Sequence, residues 1–431
     1  MKKLTLYTLG CKLNYAETAT IGKQFIDRGY VLVEQHEQVD LVVINSCSVT
    51  AHADRECRQI IRRALRKSPE ARIAVVGCYA QLQPDEIAQI KGVNFIIGTQ
   101  DKMRVADIVE QDIRPNYPSI YVSCIDDHLP TMSASSAGFE DRTRAFIKVQ
   151  DGCDYTCSYC TIPLARGTSR SITSEKVIGA AREAVEKGYK EIVLTGVNVG
   201  TYDDQGSDLL YLLRQLVSVE GLHRIRISSI EPNLLTPELL EFWFSQKRLC
   251  KHWHIPLQSG SDTILGKMRR RYSTRDYSER IRVIKENYPD AGIGADVIVG
   301  FPGETDALFD ETYKFIEETP VSYLHVFSYS KRPTTDALNF AGQIPSNIQK
   351  TRSTKLRVLS ESKRNAYYKN FIGRTVNILA ESEKETGLIS GLSEEYIHVL
   401  FPAERKVLNE FVHIKILEAN AENCRGSLVE N

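Results

Sequence analysis

The chain has 431 residues, 42% hydrophobic and 26% charged, with 55 basic side chains balancing 55 acidic ones. That length exceeds one ordinary domain, so two or three are expected. The neutral balance excludes a global field that attracts nucleic acid, so any such binding must use local patches. No apolar run approaches the roughly 20 residues of a membrane span. The opening MKKLTLYTLGCKLN reads as a first strand rather than a signal peptide. A cytoplasmic location is the expectation, and there ten cysteines point to metal or catalysis more than to disulfides.

Residues 1–130 alternate strand-like runs with helices: LTLYTL, a helix near 15–29, VDLVVIN ending at Asn45, the Arg-rich helix DRECRQIIRRALRKS stopped by Pro69, then RIAVVG and NFIIG. Continuous apolar runs separated by helices predict a parallel sheet covered on both faces, an α/β domain. The small polar stretch TMSASSAGFEDR at 131–142 reads as a linker or crossing loop. A second βα series occupies 141–368. Its six strands are RAFIKVQ, EIVLTGV, RIRISSI, HWHIPLQ, IGADVIVGF and YLHVFSYS, with helices at 174–188, 207–219, 236–246, 275–287 and 306–318. Six units are fewer than the eight of a closed TIM barrel, so a partial (β/α)6 barrel is expected. The tract NIQKTRSTKLRVLSESKRNAYYKN reads as a long charged helix leading into 369–431, where short strand pieces and turns predict a small antiparallel barrel of the OB type.

The strand RAFIKVQ runs into the loop DGCDYTCSYC, which holds Cys153, Cys157 and Cys160. Working residues of βα folds lie at the C-terminal ends of strands. A C-x3-C-x2-C loop can wrap three corners of an iron–sulfur cube and leave one iron open to a small molecule. The alternative is a zinc site completed by a remote ligand, but zinc sites prefer paired C-x2-C knuckles and no second pair lies nearby. Cys11, Cys47 and Cys78 each follow a different strand of the first domain by one or two residues. In a parallel sheet those three ends share one edge, so a second cluster lacking a fourth cysteine is expected. Cys57, Cys124, Cys250 and Cys424 carry no pattern and read as structural.

C-x3-C-x2-C with Tyr159 before the last cysteine resembles the radical S-adenosylmethionine superfamily. The earlier triad and the terminal barrel narrow the resemblance to its methylthiotransferases, over essentially the whole chain. TLGCKLNYAET, KVQDGCDYTCSYCTIPLARG and HVFSYSKRPTTDA look most like the branch acting on N6-threonylcarbamoyladenosine in tRNA. The resemblance implies two [4Fe–4S] clusters, one on Cys153, Cys157 and Cys160 and an auxiliary one on Cys11, Cys47 and Cys78. It implies S-adenosylmethionine cleaved by one electron to a 5′-deoxyadenosyl radical, sulfur carried on the auxiliary cluster, and a TRAM domain at the C-terminus. Gly196 and Asn198 in LTGVNVG are implied near the methionyl amine, Ser229 and Glu231 in SSIEP as ribose partners, His254 and Gln258 in HIPLQSGS as further contacts, and Asp296 with a glycine-rich turn against the adenine. Expected partners are the tRNA anticodon arm and a reductant protein such as flavodoxin or ferredoxin; the sulfur donor is unknown.

Arg166 and Arg170, just past the cysteine loop, are the candidate RNA contacts, whereas IIRRALRK and KMRRRYSTR read as solvated charged faces. The last 61 residues carry six Lys or Arg against ten Glu, which argues against strong backbone binding by the terminal barrel. Rival readings are methylthiolation of isopentenyladenosine or of a ribosomal-protein aspartate and, outside the enzymes, an iron–sulfur RNA-binding sensor.

Overall fold

The computed structural model describes residues 1–34, 36–112, 118–125, 131–139, 143–385 and 387–429. Strands Lys3–Thr8 (β1), Val31–Leu32 (β2), Leu41–Ser46 (β3), Arg72–Gly77 (β4), Phe95–Ile97 (β5) and Ser119–Tyr121 (β6) form one sheet in the order β2-β1-β3-β4-β5-β6. Every pairing in it is parallel. β3 is buried throughout, as its unbroken apolar run requires. Helix Lys12–Asp27 covers one face through Ala16, Ile21 and Phe25; helix Ala51–Lys67 covers the other through Cys57, Ile60 and Ile61. The edge strands β2 and β6 are only two and three residues long, too short for periodicity to reveal.

Residues 131–142 read as a linker or crossing loop; 131–139 form a packed crossing strap, and 140–142 lie outside the described residues. Ala134, Ser136, Ala137 and Phe139 are buried, and Ser135 bridges Ile147. Small side chains recur here because the strap passes close against helix Lys12–Asp27, where Thr20 and Ser135 exchange hydrogen bonds.

The central part begins with Arg144–Lys148 (β7) and the short pair Gln150–Asp151 (β8) and Arg170–Ser171 (β9). Then come Glu191–Thr195 (β10), the hairpin Asp203–Asp204 (β11) and Ser207–Asp208 (β12), Arg224–Ile227 (β13), His252–His254 (β14), Gly292–Val299 (β15) and Tyr323–Ser328 (β16). β7, β10 and β13 form one parallel sheet and β14, β15 and β16 another. Bridges Ile225 to Leu249 and Ser229 to His254 join them into six successive barrel strands. Helices Ser174–Glu186, Leu209–Leu216, Pro237–Ser245, Thr274–Asn287, Asp306–Glu318 and Ser346–Lys369 clothe the outside. Several starts are fixed by side chains: Asp208 accepts from the Tyr211 amide, Thr236 from Leu239, Thr305 from Leu308, and Ser273 with Asp276 forms a capping box.

Strands Thr375–Glu385 (β17), Leu388–Ser393 (β18), His398–Pro402 (β19), Phe411–Ala419 (β20) and Cys424–Leu428 (β21) close a barrel in the order β17-β18-β19-β21-β20. It caps the N-terminal ends of the central strands, away from the cysteine loop. Arg224 donates to the carbonyls of Leu392 and Asn377, and Arg226 to those of Ser393 and Glu394. Arg226 is wholly buried and its charge is met by Glu191 at 2.8 Å. Breaking one side of a buried pair strands the other charge in low dielectric. Glu191→Ala is therefore expected to cost about 3–5 kcal/mol in denaturant unfolding. Arg374→Ala, which removes a half-exposed pair with Asp290, is expected to cost less than about 1 kcal/mol. Equal losses would contradict a buried charge at this junction.

Candidate active site

The cysteine loop starts at Gly152, whose φ of +73° places a hypothetical Cβ 1.8 Å from the Thr168 carbonyl, so only glycine fits. The Cys153 amide then donates to Gly167 at 3.0 Å, folding the loop back on itself. Gln150 ties this turn to the next strand end. Its amide nitrogen donates to the Gly152 carbonyl (2.7 Å) and Ser169 (2.9 Å), and its oxygen accepts from the Val197 and Asn198 amides (3.0 and 2.9 Å). Gly196 was expected to admit a ligand. The group that a Cβ there would strike is Gln150, at 2.9 Å. The role of Gln150 escaped the sequence, where its only signal was its place before DGC.

The second triad gathers at the edge expected of it. Cys11 is the N-cap residue of helix Lys12–Asp27, Cys47 follows β3 directly, and Cys78 opens the helix Cys78–Leu82 after β4. β1, β3 and β4 are neighbours, so their ends are too. All six cysteines line a single cavity of about 370 Å³, together with Tyr159, Gly196, Asn198, Ser229, Glu231, Gln258 and Asp296. Of the expected small-molecule contacts only His254 is absent from that wall. It stands behind, with Nδ1 2.7 Å from Ser229 Oγ and Nε2 3.2 Å from Asp296, and so positions two residues that do line it.

Burial pushes the thiols up, Cys47 and Cys160 to about 12 and Cys153 to about 11, and neighbouring thiols add to each. Desolvation also raises Cys11, with Arg166 pulling the other way. Among the described residues, the one set of three metal-ligating groups whose atoms all lie within 4.8 Å is His254, Asp296 and His325. Neither cysteine triad closes to that spacing. One zinc ion, with Zn–S near 2.3 Å, brings its sulfurs closer together than that. The triads therefore suit a wider, multi-iron cofactor.

Arg166, expected as an RNA contact, is engaged inside the protein. It is 2% exposed and lines the cavity that both triads share. It donates to Asn14 (2.6 Å), to both oxygens of Glu17 (3.2 and 3.1 Å) and to Asp151 (2.7 Å). Lys148 bridges Glu17 and Asp151 at 3.0 and 2.6 Å, and Lys102 also pairs with Glu17. Burial alone raises Glu17 and Asp151, but Arg166 and the lysines outweigh it and hold both below the ordinary carboxylate range. Arg170 is half-buried and donates to the Arg166 carbonyl at 2.5 Å, so it too serves this scaffold.

KMRRRYSTR is likewise more than a solvated face. Arg270 points inward, 3.1 Å from Cys157 Sγ and paired with Glu231, so Glu231 faces a guanidinium inside the cavity. From the far side, Arg332 holds Asp54 (2.7 Å) and Ser48 (2.8 Å), and Ser330 accepts from the Ala51 amide (2.9 Å). The SYSKRP segment thus clamps the chain that follows Cys47.

Residues 147–316 match the radical SAM superfamily, and residues 3–98 match uncharacterized protein family UPF0004. The chain is 39% identical to the threonylcarbamoyladenosine tRNA methylthiotransferase MtaB of Bacillus subtilis, over 100% of this chain and 97% of that one. It is 36% identical to the Thermotoga maritima protein of the same name, over 100% and 98%. It is 31% identical to a tRNA-2-methylthio-N(6)-dimethylallyladenosine synthase of Protochlamydia amoebophila, over 99% and 96%. The chain belongs to the radical S-adenosylmethionine methylthiotransferases. Its fold is similar to that of the radical S-adenosylmethionine methyltransferase TsrM of Kitasatospora setae, with TM-score 0.57 at 15% identity over 78% of this chain and 74% of that one.

Methylthiotransferases use S-adenosylmethionine and carry two [4Fe–4S] clusters, and the cavity fits both kinds of group. Six reduced thiols in two wide triads are the donor set of two cubes, each with one protein ligand missing. For S-adenosylmethionine, both side-chain polar atoms of Asn198 are buried on this wall without a hydrogen-bond partner among the described residues. Such polar atoms cost free energy unless a ligand or ordered water meets them.

Anaerobic reconstitution is expected to load roughly eight iron per chain, and Cys47→Ala about four. An unchanged content would remove the auxiliary cluster. Glu17→Gln tests the ionic scaffold by pH. Glu17 ionises below its ordinary 4.5, so its contribution is complete above that value and fades as pH falls through the lower folded-state value. The wild type's stability margin over Glu17→Gln is expected to be constant from pH 6 to 8 and to shrink below about pH 4.5. A margin that grows on acidification would refute the assignment.

Proposed function

We propose that this methylthiotransferase places a methylthio group on C2 of N6-threonylcarbamoyladenosine at position 37 of tRNA, beside the anticodon. The observation that carries the reading is the shared cavity, in which both cysteine triads face one space. When bound, the groups supply a carbon-centred radical able to take hydrogen from an unactivated aromatic carbon, together with the sulfur and methyl to be transferred. The chain's own part is to hold and orient them. Gln150 sets the turn that presents Cys153, Ser229 and Asp296 are steadied by His254, and Arg166 keeps the two triads in register.

The nucleoside assignment is supported by the branch. Relatives named for threonylcarbamoyladenosine match at 34–39%, against 30–33% for those named for dimethylallyladenosine. Such a substrate is met in the cytoplasm, on the anticodon arm, with an electron-transfer protein of the flavodoxin or ferredoxin kind as reductant. No helix among the described residues is long and apolar enough to cross a membrane.

Mass spectrometry of tRNA nucleosides from a deletion strain is the test. Loss of the methylthio-threonylcarbamoyl nucleoside alone, restored by the wild-type gene and not by Cys157→Ala, is expected. Loss of the methylthio-isopentenyl nucleoside instead would transfer the protein to the other branch.

A further inference from the structure

Lys12 directly follows Cys11 and begins the helix that carries Asn14 and Glu17. Both of those residues are spent on Arg166, but Lys12 is not part of that network. Among the described residues its ammonium has no carboxylate, carbonyl or hydroxyl hydrogen-bond partner; it stands over the Tyr396 ring, 5.7 Å from the centroid. The surrounding carboxylates are already taken: Glu191 by Arg226, Glu381 by Arg144, and Asp296 by His254. Arg144 and Arg226 share this space, and the Tyr396 phenol is the one acidic group left to face all three cations, so a stronger anion would be favoured here.

Lys12 does not itself line the cavity; the β15–β16 wall runs from the cavity toward it. Ile298 and Phe327 line the cavity, and they are paired across β15 and β16. Two residues down the same face are Asp296 and His325, and two further are Gly294 and Tyr323. Tyr323 then approaches Tyr396 (centroids 6.3 Å), which stacks on His252 at 4.3 Å and lies beneath Lys12. The Lys12 charge is felt at Asp296, His325 and His252. Phe327 and His325 are exposed, so this wall is open to a ligand. An aromatic wall running from the cavity to one unmatched ammonium suits a flat base bearing an acidic substituent.

We propose that Lys12 is the counter-ion for a carboxylate that reaches from this cavity along the β15–β16 wall, the threonyl carboxylate of the substrate nucleoside, and that it selects this base over one with an apolar N6 group. The assignment rests on the proposed nucleoside. It also gives that proposal a physical cause, because an isopentenyl group at the same place would leave the ammonium unpaired in a poorly solvated site.

The test uses holoprotein and synthetic anticodon stem-loops carrying adenosine, N6-isopentenyladenosine, N6-threonylcarbamoyladenosine or its threonyl methyl ester at position 37. Binding is read by fluorescence anisotropy. The wild type is expected to bind the free-carboxylate loop roughly tenfold or more tighter than the ester. Lys12→Met is expected to abolish that ratio with iron content unchanged, and Lys12→Arg to retain part of it. A wild type that binds acid and ester alike overturns the proposal without recourse to any variant. A Lys12→Met protein with normal iron and an intact ratio overturns the residue assignment alone. A wild type that prefers the isopentenyl loop removes the nucleoside reading with it. The methionyl carboxylate of S-adenosylmethionine is the other carboxylate available. Equilibrium dialysis showing weakened S-adenosylmethionine binding by Lys12→Met, with the loop ratio intact, would assign the ammonium there and refute the proposal.

Discussion

The buried ionic knot of Glu17, Arg166, Asp151, Lys148 and Lys102 is the constraint on which the site depends. It joins the helix that begins at Cys11 to the loop that ends at Cys160, and both cysteine triads take their relative placement from it. Two carboxylates facing three cations in low dielectric are stable only as a set, since removing one leaves others uncompensated. That makes the junction between sheet and barrel rigid, which chemistry needs when reacting groups come from separate folding units. Apolar packing would have joined the same surfaces with less angular definition.

The opposite end of the central barrel is organised by related means with another outcome. Arg224 and Arg226 sit at alternate positions of one strand, point inward, and donate to backbone carbonyls of the C-terminal barrel. The acidic surplus of that barrel is partly consumed here, by Glu381 on Arg144 and Glu394 on Lys251. Some of the negative charge that argued against RNA binding therefore faces the core.

The architecture was legible because its signals are local. The runs VDLVVIN and RIAVVG announced buried parallel strands, and a cysteine just after each marked the working edge. The six-strand count and the closed terminal barrel followed from strands and turns taken in order. What the sequence hid are partnerships across long separations. Arg166 meets Glu17 and Asn14 from 149 and 152 positions away, so its place after the cysteine loop suggested a surface contact. Arg270 lies 113 residues from Cys157, and a run of three arginines gives no sign that the middle one turns inward. The strap at 131–139 left two readings open for a different reason: small polar residues serve both for flexibility and for close passage between two packed layers.

The Cys153–Cys160 loop and the body of the C-terminal barrel occupy opposite ends of the central strands. Their separation is thus set by strand length, about 3.3 Å for each residue. The protein carries a ruler graduated in strand residues. Shifting the gauge by one notch would require the same insertion in every strand of the barrel, so the gap between its two ends is among the hardest dimensions of this molecule for evolution to revise.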